Sequence, residues 1–150
     1  MEAEAFALAL AREVRERVAP LLGAPESRER RGTARGGDPT YHIDTVAEDL
    51  VHRTFEAIDD VAYFTEDEGL VRRGTPSHLF LIDPIDGTRP SAMGYETCCV
   101  SVAVAPYGEG RTLGDLIYGC LVELTTGASF EARVGRLWQR CVRPVRQYSQ

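Results

Sequence analysis

Two carboxylates, Asp83 and Asp86, bracket a proline and an isoleucine in the run Leu79-Phe80-Leu81-Ile82-Asp83-Pro84-Ile85-Asp86-Gly87-Thr88. Leu79–Ile82 is continuously apolar over strand length, which predicts a strand covered on both faces and presenting its working residues at its carboxyl end. Pro84 has no amide hydrogen and a fixed φ, so it is expected to stop the ladder and turn the chain. The Asp83 and Asp86 carboxylates and the Ile85 carbonyl then form a set of hard oxygen donors suited to Mg²⁺, Mn²⁺ or Ca²⁺. Gly87 and Thr88 follow with backbone N–H groups in a glycine-permitted turn, suited to a phosphate if a helix starts there. Asp-Pro and Asp-Gly are also ordinary turn formers. Turn chemistry alone does not require both acids, the strand before them and the threonine after them.

A second acidic group, Glu66-Asp67-Glu68, follows the strand-like Val61–Thr65. If the two strands are neighbours, Glu66 and Asp67 converge on Asp83 and Asp86, and such a cluster repels itself unless a cation neutralises it. Glu68 reads as solvated loop charge. Other chemistries find less support. His42, His52 and His78 are scattered, Ser77, Ser91 and Ser101 lack a nucleophile elbow, and the absence of lysine excludes Schiff-base catalysis.

The elements that must position these groups run from helix to strand. Phe6, Leu10, Val14, Val18 and Leu21 recur at helical spacing through Glu2–Leu22, with Pro20 and Gly23 marking the end. Ile43, Val46/Ala47, Leu50/Val51, Phe55 and Ile58 trace a second amphipathic helix, with Asp44 near its start. Between them, 24–38 is expected to be a mobile loop, because Glu26–Asp38 is rich in Arg and Gly and lacks apolar anchors. Val61–Thr65, Leu79–Ile82, Thr97–Ala105, Leu116–Leu124 and Ala128–Val134 read as strands, the last two joined by a turn at Thr125-Thr126-Gly127. Two helices followed by a largely antiparallel sheet predict an α+β layered domain spanning 1–150.

At these motifs the chain resembles a known family. DPIDGT at Asp83–Thr88 is similar to the signature of the inositol monophosphatase family, the Mg²⁺-dependent, lithium-sensitive phosphatases that include archaeal fructose-1,6-bisphosphatases and nucleotide 3′-phosphatases. Tyr63–Gly69 resembles the family strand that ends in Ser-Glu-Glu-x-Gly, and Pro39–Asp49 the archaeal-type stretch in which an Asp opens the second helix. Gly114–Arg133 resembles the paired strands that follow the signature. The resemblance implies a sugar-phosphatase-like fold and hydrolysis of a small phosphate monoester by metal-activated water. It implies Glu66, Asp83 and the Ile85 carbonyl as ligands of a first Mg²⁺, with Mn²⁺ as an alternative, and Asp83 with Asp86 as ligands of a second. It implies Thr88 orienting the attacking water, Asp44 assisting through that threonine, and Gly87 with Thr88 donating backbone hydrogens to the phosphate. The 24–38 segment matches a loop that moves over the active site.

The resemblance covers the amino-terminal half of the family fold. The Trp-Asp motif of the second half has no counterpart, since Trp138 is followed by Gln139 and Arg140 before a polar tail at Arg143–Gln150. Two departures bear on substrate: Arg89-Pro90 follows the signature where the family has Thr-Asn-Phe-like residues, and the sugar-recognising residues lie mostly in the second half. A metal-binding module without turnover, left by loss of that half, is therefore the alternative to an active phosphatase, and exposed apolar surface predicts a homo-oligomer.

Composition bounds the rest. A 150-residue chain with 43% hydrophobic residues fits one domain with a proper core. A net charge of −6 argues against nucleic acid as a partner. The acidic start Met1-Glu2-Ala3-Glu4 and the lack of a long apolar run predict a cytoplasmic protein with no membrane partner. Cys98, Cys99, Cys120 and Cys141 lack zinc-type spacing and read as free thiols rather than disulfides.

Overall fold

Helix α1 (Ala3–Val18) turns Ala7, Leu10, Ala11, Val14 and Val18 inward at three- and four-residue spacing, and all five are buried. Helix α2 (His42–Glu56) does the same with Ile43, Ala47, Val51 and Phe55. The computed structural model describes residues 2–33, 37 and 39–134, and the backbone of 136–141. The polar tail and parts of the 24–38 segment, residues 34–36 and 38, lie outside the described residues.

Seven strands form one sheet: β3 (Val61–Thr65), β4 (Gly69–Arg73), β5 (His78–Asp86), β6 (Cys99–Pro106), β7 (Tyr118–Glu123), β8 (Ser129–Arg133) and β9 (Arg136–Cys141), in the order β4-β3-β5-β6-β7-β8-β9. Every neighbouring pair is antiparallel except β3 and β5, which run parallel with Tyr63 beside Phe80. The α+β reading with a largely antiparallel sheet holds. A small hairpin, β1 (Arg30–Thr33) and β2 (Pro39–Tyr41), leads into α2. Part of the segment expected to be a mobile loop is thus paired, and Pro25–Arg28 makes one 3₁₀ turn, because main-chain bonds there need no apolar anchor.

Both long helices pack on one sheet face. Phe6 of α1, Phe55 of α2, Tyr63 of β3 and Phe80 of β5 form an aromatic cluster there, with Phe55 stacked on Tyr63 at 4.4 Å between ring centres and Phe6 edge-on to both Phe55 and Phe80. This cluster fixes α2 against the paired strands β3 and β5. The opposite face carries Leu81 and Leu121 half-buried and Phe64 and Leu70 exposed, and no helix covers it among the described residues. Cys98, Cys99 and Cys120 are free thiols, as expected, with Cys98 and Cys120 buried. Among the described residues no helix is long and apolar enough to cross a membrane.

Candidate active site

The parallel pairing of β3 and β5 decides the site. Both strands end at the same rim of the sheet, so the residues after Thr65 stand beside those after Ile82. Glu66-Asp67-Glu68 forms the three-residue turn of the β3–β4 hairpin, closed by Gly69 at φ +77° and by the Glu68 N–H donating to the Thr65 hydroxyl at 3.2 Å. Asp83 and Asp86 are three residues apart, a spacing that sends side chains to opposite faces of a regular strand. A bulge reconciles them: Asp83 pairs with Ser101 and Asp86 with Cys99, only two residues apart on β6. Pro84 therefore does not stop the strand, contrary to the sequence expectation. It sits inside the bulge, where the ladder loses nothing from its missing N–H.

Gly87 follows at φ +92°, and a Cβ there would meet the Thr97 carbonyl at 2.8 Å, so the turn into the short helix α3 (Thr88–Ala92) requires glycine. The Thr88 hydroxyl donates to the Ile85 carbonyl at 3.3 Å and also faces the Asp44 carboxylate. Asp44 is the third residue of α2, and its Oδ2 accepts from the Tyr41 N–H at 2.8 Å. It is thus a helix-capping group that also looks into the site.

These groups enclose a cavity of about 400 Å³ lined by Tyr41, Asp44, Glu48, Glu66, Asp67, Asp83, Asp86, Thr88 and Arg89 among others. Every residue singled out from the sequence as a ligand, phosphate donor or catalytic group lines it, together with the Ile85 and Gly87 backbone. Glu68 turns away to Tyr63 and His52, with its Oε2 accepting from the Tyr63 hydroxyl at 2.5 Å and its Oε1 at 2.9 Å from His52 Nδ1.

The cavity is electrostatically overloaded. Burial, then Asp86, Glu66 and Asp44, push the Asp83 carboxyl up to about 6 against the hydrogen bond from the Ile85 N–H. Its carboxyl is also open to solvent, so water relieves part of that repulsion. Burial raises Asp44 and Asp67 as well. Sequence reasoning missed Glu48, whose carboxyl is driven to about 8 by burial and then by Asp67. Its signal was the four-residue spacing from Asp44, which puts both acids on one row of α2.

The oxygen-only donor set fits a hard divalent cation in chemistry: three carboxylates and a carbonyl at one rim, with acids that repel one another. Among the described residues no three Asp, Glu, His or Cys side chains are already gathered about one point suited to an ion.

Solved structures share this arrangement of elements. The chain superposes on the crystal structure of an inositol monophosphatase–fructose 1,6-bisphosphatase with a TM-score of 0.76 at 22% identity, covering 93% of this chain and 52% of that one. It superposes on the Thermotoga maritima inositol monophosphatase with a TM-score of 0.68 at 20% identity, covering 93% and 51%. The fold is that of the inositol monophosphatase-like phosphatases. The family model described as the inositol monophosphatase family matches residues 1–141, and the chain belongs to that family, whose members are metal-dependent phosphatases. Among curated relatives, a fructose-1,6-bisphosphatase/inositol-1-monophosphatase of Methanothermobacter thermautotrophicus is 30% identical over 138 residues, which are 87% of this chain and 49% of that protein. A bifunctional NADP phosphatase/NAD kinase of Methanococcus maripaludis is 26% identical over 143 residues, 87% of this chain and 25% of that protein. The chain spans about half the length of the first of these relatives or less.

Proposed function

We propose that this chain carries the metal- and phosphate-binding part of a phosphatase acting on a small phosphate monoester, such as inositol monophosphate, fructose 1,6-bisphosphate or a related sugar phosphate. The observation that carries the reading is the delivery of Glu66, Asp83 and Asp86 to one cavity by the parallel strands β3 and β5. Glu66, Asp83 and the Ile85 carbonyl would hold one Mg²⁺ or Mn²⁺, and Asp83 with Asp86 a second. The bound cation supplies charge neutralisation and lowers the pKa of a water nucleophile.

The chain's own groups do the remaining work. Thr88 has one hydroxyl proton and two acceptors in reach, Ile85 O and Asp44. If a cation takes the Ile85 carbonyl, that proton turns to Asp44, and the Thr88 oxygen is left to accept from a water and orient it. Asp44 thereby acts through Thr88, with its other role as helix cap unchanged. The Gly87 and Thr88 N–H groups hold the phosphate oxygens. Among the described residues, Arg89 is the one cationic side chain lining the cavity. Titration of the chain with Mg²⁺ or Mn²⁺ by calorimetry, followed by phosphate release from inositol monophosphate and fructose 1,6-bisphosphate, tests the assignment. Absence of metal uptake refutes it.

A second reading is binding without turnover by this chain alone, favoured by its spanning only half of its closely matched relatives. Phe64 and Leu70 face each other across β3 and β4 and are 43% and 58% exposed, which supports self-association through the uncovered sheet face. A cytoplasmic location follows the same reading.

A further inference from the structure

Glu48 lines the cavity yet has no part in the proposed ligand set. It belongs to a row on α2, Asp44, Glu48, His52 and Glu56, in which each residue lies four after the last. Each member has a partner. Asp44 takes the Tyr41 N–H and faces Thr88, while His52 joins Glu68 Oε1 at 2.9 Å and Glu56 Oε1 at 3.1 Å. Glu48 meets the hydroxyl of Thr65, the last residue of β3. Thr65 is wholly buried, and the same hydroxyl accepts from the Glu68 N–H on its other side. One hydroxyl thus links α2 to the turn that carries Glu66.

We propose that Glu48 is a positioning residue, which through the Thr65 hydroxyl fixes the Glu66–Glu68 turn so that Glu66 faces the cavity. The inference rests on the reading of Glu66 as a metal ligand. Stability alone does not favour a carboxyl here, because burial and the charges of Asp67, Glu68 and Asp83 all oppose its ionisation. What the site gains is a fixed hydrogen-bond acceptor for a buried hydroxyl next to a ligand. Outer groups of this kind commonly govern how tightly a metal is held.

The test is Mn²⁺ affinity by calorimetry at neutral pH, with thermal unfolding of the same samples, on the native chain, Glu48→Gln, Glu48→Ala and Thr65→Val. Glu48→Gln keeps an acceptor for Thr65 and should bind Mn²⁺ within about twofold of the native chain, whereas Glu48→Ala should bind about tenfold or more weakly. Thr65→Val removes the hydroxyl while keeping its shape, and should reproduce the loss even if Glu48→Ala proves poorly folded. A merely structural role would move unfolding temperature and affinity together across the series. Here Glu48→Gln should raise the unfolding temperature without tightening Mn²⁺ binding. Native affinity in both Glu48→Ala and Thr65→Val would overturn the inference alone. So would an equal loss in Glu48→Gln and Glu48→Ala, which would assign the effect to charge. A native chain that takes up no Mn²⁺ would overturn the metal reading of Glu66 and this inference with it.

Discussion

Replacing Glu48 by Gln should flatten the fall in stability that the metal-free protein suffers as pH rises. Burial, then the charge of Asp67, lifts the Glu48 carboxyl from its ordinary 4.5 to about 8, with Glu68 and Asp83 adding repulsion and only the Thr65 hydrogen bond opposing them. Between those values the folded chain keeps a proton that the unfolded chain has released. The stability contributed by this group is therefore fully present below pH 4.5 and is lost as pH rises through about 8. The steepest slope one such proton can give is about 1.4 kcal/mol per pH unit. Residual water contact and relaxation of the neighbouring acids screen the interaction, and about 2 kcal/mol over the whole window is a reasonable discount. For a domain of this size that corresponds to about 4–8 °C in unfolding temperature. The assay is thermal unfolding by circular dichroism from about pH 5 to pH 8.5 in chelator, comparing the native chain with Glu48→Gln so that changes common to both cancel. The two curves should diverge toward high pH, with the Gln variant the more stable. Parallel curves across the range would show that Glu48 ionises normally in the folded state.

Asp83→Asn should weaken Mg²⁺ or Mn²⁺ binding by more than about tenfold, since Asp83 is the acid assigned to both cations; equal calorimetric affinity in the two proteins would remove that assignment. Phe55→Ala should cost about 3–5 kcal/mol in denaturant unfolding, because its ring is fully buried and touches Phe6, Tyr63 and Phe80. A much smaller cost would mean that α2 is held to the sheet by other contacts. Size-exclusion chromatography with light scattering should show an oligomer, and phosphate release by this chain alone should be weak. A monomer turning over at about 1–10³ s⁻¹ would contradict both expectations.

Strand β3 was legible residue for residue, because Val61–Thr65 is a short β-branched and aromatic run set between acidic turns. The convergence of Glu66 with Asp83 was legible only as a condition on strand adjacency. Nothing local in Val61–Thr65 or Leu79–Ile82 specifies a parallel pair, which depends on β4 folding outward to the sheet edge. Strand β4 escaped notice for that reason. An edge strand needs few apolar side chains, and Leu70-Val71 between Gly69 and two arginines looks like a loop. The strand beyond Pro84 was misread because a proline ends a regular ladder, and the bulge that accommodates it depends on where Cys99 and Ser101 fall on β6. Glu48 was hidden by its company: beside Asp49 on an amphipathic helix, an acid reads as part of the wet face. The packing of Phe55 on Phe6, Tyr63 and Phe80 holds α2 where that row meets the cavity, and none of those contacts is local in sequence to Glu48.

The parallel pair has a consequence for how the site comes into being. Every candidate group lies between Asp44 and Thr88, and the contacts that gather them join α2, β3 and β5 with only the β4 hairpin intervening. The loops to be closed are short, so the entropic cost of assembling this stretch is small compared with that of docking α1 onto β6 and β7 much later in the chain. The stretch from α2 to α3 should behave as one cooperative unit whose backbone amides exchange together. In such a unit the acids are gathered by the same short-range contacts that pair β3 with β5, so their mutual repulsion opposes the assembly of that unit itself.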